Sequence, residues 1–96
     1  MENTNELYKR LETLVAHRKA LARQADHLAV LEQEHKIYGY PKMRLALESH
    51  PHTFKTVNKT VVKKVFSLLQ AEYTELIQQK EQQIQALTIQ LNTTKP

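Results

Sequence analysis

The sequence predicts an all-α protein: two long coiled-coil-like helices flanking a short, basic, helix-turn-helix-like insert, arranged as a helical hairpin that dimerises. Three observations predict it. Leucines and isoleucines recur at helical spacing at both ends of the chain. Gly39, the only glycine, and Pro41 break that pattern once, near the middle. The basic residues gather just behind the break.

The first helix is expected over residues 5–36. Leu7, Leu11, Leu14, Leu21, Ala25 and Leu28 fall on alternating four- and three-residue steps, with Arg18 in the one polar slot. Asn3, Thr4 or Asn5 can cap its start, and Glu6 stands near the positive end of the helix dipole. About 32 residues give a helix of roughly 48 Å at ~1.5 Å per residue.

Residues 37–58 read as a turn, a short helix and a loop. Gly39 suits a helix stop, and Pro41 suits the first turn of a new helix, where its missing N–H costs nothing. That helix would run from Pro41 to Glu48 or Ser49, with Met43, Leu45, Ala46 and Leu47 for packing. "SHPHTFKT", Ser49 to Thr56, reads as a loop. Asn58 is a good N-cap, and Val57 and Val62 occupy the two positions of a hydrophobic staple.

The last helix is expected over 59–91, with 92–96 fraying. Val62, Val65, Phe66, Leu69 and Tyr73 form the apolar side of its first half. Ile77, Ile84, Leu87 and Leu91 form that of its second, with Lys80 in a seam slot. The steps around Tyr73 and Leu76/Ile77 do not keep one heptad phase, so a change of packing partner is expected there. The chain is read as a single helical domain, 1–96. Leu7, Leu11, Leu14, Leu21, Leu28, Leu69, Tyr73, Ile77, Ile84, Leu87 and Leu91 are the expected packing and dimer residues. Both an antiparallel fold-back and a parallel dimer accommodate them. A chain this short buries a modest core, so a homodimer or a larger protein partner is expected to cover what remains.

Charge locates the interesting part. Residues 36–64 carry Lys36, Lys42, Arg44, Lys55, Lys59, Lys63 and Lys64 against Glu48 alone, a net of +6 within a total of +4. Each flank is slightly acidic. Such a concentrated cationic segment points to a polyanion. Set on two helices, it would place Lys59, Thr60 and Lys63 at the front of a recognition helix, with Lys42, Arg44, Lys55 and Lys64 reaching phosphates. Asn58 and Thr60 can donate to phosphate or read a base edge. The expected partner is nucleic acid, double-stranded DNA first.

The stretches "YGYPKM" and "VNKTVVKKVF" resemble the helix-turn-helix segment that precedes the catalytic domain of IS3-type transposases and related integrases. Tyr38, Gly39, Tyr40, Lys42, Met43 and Leu47 match its first half, with Pro41 in place of a basic residue. Val57, Asn58, Val62, Lys64, Val65 and Phe66 match its second half. The resemblance spans residues 35–69 and implies DNA recognition, by an accessory or regulator of a mobile element or phage. The turn "ESHPHTFKT" is longer than the family's and lacks its glycine, and Thr60 and Val61 stand where a basic pair is common. No acidic triad or integrase-like strands follow, so the family's recombination chemistry is not implied.

Other chemistries find little footing. The chain has no cysteine, which removes disulfides, thiolate metal sites and a cysteine nucleophile. His50 and His52 flank Pro51 but lack a third ligand at persuasive spacing; His17, His27 and His35 lie too far apart along one helix. No metal or cofactor is expected. No glycine-rich phosphate loop, Ser/His/Asp arrangement or paired carboxylate in an apolar setting appears, so no catalytic residue is expected. The polar start "MENTNELYKR" is not a signal peptide, and no apolar run spans a bilayer, so a cytoplasmic protein without a membrane partner is the simplest reading. The same insert also permits a bend packed on its tyrosines, with solvated lysines. The alternative function is a small helical interaction or inhibitor protein that occludes a larger partner.

Overall fold

The computed structural model describes residues 3–38 and 43–94. The element order is α1 (Thr4–Tyr38), β1 (Leu45–Ser49), β2 (His52–Thr56) and α2 (Lys59–Thr94). The protein is therefore mostly helical, as the periodicity required, with a small antiparallel sheet between the helices. The roles expected of Gly39, Tyr40, Pro41 and Lys42, and the fraying of Lys95 and Pro96, fall outside the described residues.

Helix α1 opens on Asn3. The Glu6 N–H donates to Asn3 Oδ1 at 2.9 Å and the Leu7 N–H to the Asn3 carbonyl at 3.1 Å, so the cap satisfies donors that a first helical turn leaves over. Helix α2 opens the same way. The Val61 N–H donates to Asn58 Oδ1 at 3.2 Å, and the Asn58 N–H itself donates to Thr56 Oγ1 at 3.1 Å. Of the two expected staple residues, Val62 is buried and Val57 is 60% exposed. Helix α2 also runs to Thr94, beyond the expected end at residue 91. Its last turns carry no Gly or Pro to stop it.

The chain divides into two compact units. The first combines Met1–Ala25 with Tyr73–Pro96. Here Leu7, Leu87 and Leu91 are buried together, with Leu11 and Leu14 packed against them. Further along α1, the Arg18 guanidinium pairs with the Glu81 carboxylate at 2.6 Å. Early α1 residues thus meet late α2 residues, which makes the pairing antiparallel within one chain. Leu7, Leu11, Leu14, Leu87 and Leu91 are used within the chain.

The second unit is Asp26–Glu72. Val62 and Phe66 are its buried hydrophobics, and Val65 and Leu28 are half-buried. An apolar cleft is lined by Leu28, Leu31, Leu45, Val62, Phe66 and Leu69. Leu69 is 36% exposed, and the neighbouring Gln70 is half-buried. The Gln70 side-chain amide donates to Glu32 Oε2 at 2.6 Å. This polar pair explains the irregular phase around Tyr73. Once Gln70 is counted, the half-buried or buried positions Phe66, Gln70, Tyr73, Ile77, Lys80, Ile84, Leu87 and Leu91 keep one four-three alternation. On α1 the alternation runs Leu7, Leu11, Leu14, Arg18, Leu21, Ala25, Leu28 and Glu32. No change of phase is needed.

The insert is where expectation and structure part. Leu45–Ser49 is a strand, not the end of a short helix, and His52–Thr56 is its partner strand, not a loop. They pair antiparallel in the register Leu45↔Thr56, Ala46↔Lys55, Leu47↔Phe54, Glu48↔Thr53 and Ser49↔His52, around a turn with a cis His50–Pro51 peptide. An isolated helix of so few residues is marginal in water, because nucleation fixes several residues for one hydrogen bond. Pairing with a segment rich in Thr and Phe, both good strand formers, satisfies the same backbone groups. Leu45 and Thr56 anchor the base of the hairpin and are half-buried.

Candidate nucleic-acid interface

The hairpin and the first turns of α2 carry the expected binding residues. Arg44 directly precedes β1, Lys55 lies on β2, and Lys59, Thr60, Lys63 and Lys64 open α2; all are exposed. All belong to the second unit. Helical geometry places Lys59 and Lys63 on one flank of the buried Val62/Phe66 stripe, while Lys64 lies further round, since successive residues turn by about 100°. The cations therefore cluster without forming one plane. Lys42 lies outside the described residues. Asn58 has a structural task, because its Oδ1 caps α2.

The hairpin has two distinct faces, because side chains alternate along a strand. Ala46, Glu48, Thr53 and Lys55 share one. Leu45, Leu47, Ser49, His52, Phe54 and Thr56 share the other. On this second face the pattern changes from base to tip. Leu45 and Thr56 are anchored, Leu47 and Phe54 are directly opposed yet 63% and 57% exposed, and the polar pair Ser49 and His52 follows. Glu48, the only acid between residues 36 and 64, lies on the opposite face. Sequence reading missed this apolar pair. The alternation Thr53-Phe54-Lys55-Thr56-Val57 behind Pro51 is the signal that marks a strand there.

The expected packing residues divide by unit. Leu7, Leu11, Leu14, Leu87 and Leu91 pack in the first, where Leu21, Tyr73, Ile77 and Ile84 are half-buried; Leu28 and Leu69 line the cleft of the second. Among the described residues no group of three or more His, Cys, Asp or Glu side chains comes together to hold a metal ion. His50 and His52 lie at the exposed hairpin tip. Among the described residues, Arg44 is the one charged residue lining the apolar cleft. No described helix is long and apolar enough to cross a membrane.

Comparison with protein-family models, with curated proteins and with solved structures finds no match to this chain.

Proposed function

We propose that the protein is a non-enzymatic DNA-binding protein that contacts duplex DNA through its β-hairpin and the opening turns of α2. The observation that carries this reading is the exposed set Arg44, Lys55, Lys59, Lys63 and Lys64 on and beside a two-stranded ribbon. A major groove about 12 Å wide admits a two-stranded ribbon as well as it admits a helix. The hairpin stands where the sequence predicted the short helix and loop ahead of the recognition helix, and shares the groove-contacting role with the start of α2. Arg44, Lys55 and the α2 lysines supply phosphate contacts, which position without specifying.

A salt series tests the reading. Binding to a duplex of mixed sequence, followed by fluorescence anisotropy, is expected to weaken steeply as salt rises, with a logarithmic slope of roughly −0.9 per phosphate contacted. Lys55→Ala combined with Lys59→Ala is expected to make that slope shallower by about 1–2 with the fold intact. Absence of binding at low salt refutes it.

A protein partner is the second reading, and one observation favours it. Val61 and Leu68 lie a heptad apart on α2, away from the buried stripe, and Leu68 is 68% exposed. A homodimer through this surface is compatible with DNA binding, since paired hairpins would reach two half-sites.

A further inference from the structure

The hairpin face bearing Leu47 and Phe54 has no task in phosphate binding. Two apolar side chains directly opposed on neighbouring strands form one patch, and both are more than half exposed. It lies on a ribbon flanked by exposed cations, Arg44 at its base and Lys59 just beyond its exit. Ser49 and His52 extend the same face to the tip with hydrogen-bonding groups. Glu48, the only acid in the sequence between residues 36 and 64, is carried by the other face. This division suits a groove-binding ribbon: the face that meets base edges is apolar and neutral-polar, and Glu48 is on the opposite face, which also carries Lys55.

We propose that the Leu47–Phe54 face reads thymine, by packing against the C5-methyl groups that line the major groove, with Ser49 and His52 directed at neighbouring base edges. The inference rests on the DNA-binding reading above and adds to it a base preference and a reading face. Thymine is the base that presents an apolar group in the major groove, so it is the partner an apolar ribbon face fits. The cations draw the duplex in. The apolar pair then discriminates by burying methyl groups, independently of salt.

The test uses the full chain and two probes, a short alternating A·T duplex and the same duplex with every thymine replaced by deoxyuracil. Wild-type protein is expected to bind the thymine duplex about fourfold more tightly for each methyl it buries, from the transfer of one such group out of water. Leu47→Ser combined with Phe54→Ser removes the discrimination and leaves the salt dependence as it was. Both sites are exposed, so circular dichroism should show the fold retained. Equal wild-type affinity for both duplexes, with steep salt dependence, overturns the thymine reading and leaves DNA binding standing. Absence of binding to either duplex overturns both. If instead the double substitution changes the sedimentation behaviour of the free protein while wild type shows no discrimination, the face is a self-docking surface and the proposal fails.

Discussion

The polar pair between Glu32 and Gln70 occupies seam positions of the second unit, and its removal gives a sharp test of how that unit is held. The 2.6 Å amide–carboxylate hydrogen bond joins two half-buried side chains. Hydrogen bonds to a charged group contribute roughly 1.5–3 kcal/mol when enclosed. Partial solvent access lowers that here to about 1–2 kcal/mol, in line with the weak net effect of exposed polar pairs. Gln70→Leu takes the amide donor from Glu32 and is expected to lower the melting temperature by about 5–10 °C, since 1 kcal/mol moves a domain of this size by roughly 4–8 °C. Glu32→Leu alone should cost a similar or smaller amount. The double substitution places leucines in both seam slots beside Leu28 and Phe66, and should match or exceed wild-type stability. A double-mutant cycle by urea denaturation then returns a coupling of about 1 kcal/mol or more. If the two single effects simply add, the pair contributes nothing and its assigned role is wrong.

Two further outcomes test the remaining framework. Leu7→Ala opens the buried leucine cluster of the first unit and should cost about 2–5 kcal/mol, whereas Leu68→Ala on the exposed side of α2 should stay within about 0.5 kcal/mol; chemical denaturation separates them. Asn58→Ala removes the α2 cap and should cost about 0.5–2 kcal/mol, while Asn58→Ser restores most of it.

Much of the fold was legible along the chain, because a helix seam is a local pattern. Leu7, Leu11, Leu14, Leu21 and Leu28 announce their shared face by spacing alone, and Arg18 was already visible as a polar slot. Its partner was not. Glu81 lies far away in sequence, and only the fold-back brings it to 2.6 Å. The same holds for Gln70, whose partner Glu32 is also distant along the chain. The cationic set of the candidate interface was equally readable, since charge density needs no contacts. The hairpin was the failure. Ala46, Leu47 and Glu48 favour helix, and Pro41 offered a helix start upstream, so local propensity pointed one way. A strand is defined by its partner, and what β1 becomes depends on residues across the turn.

The sequence by itself determined two long helices, the Asn58 cap, a choice among Asn3, Thr4 and Asn5 for the other cap, and a basic segment between the helices, because dihedral preference, spacing and charge are properties of neighbouring residues. Only the tertiary structure decided that Leu7, Leu11 and Leu14 pack with Leu87 and Leu91 of the same chain, that Arg18 and Glu32 find Glu81 and Gln70, and that the basic insert carries a β-ribbon. Those outcomes rest on contacts between distant positions, where burial and hydrogen bonding outweigh the small propensity differences that local reading can weigh.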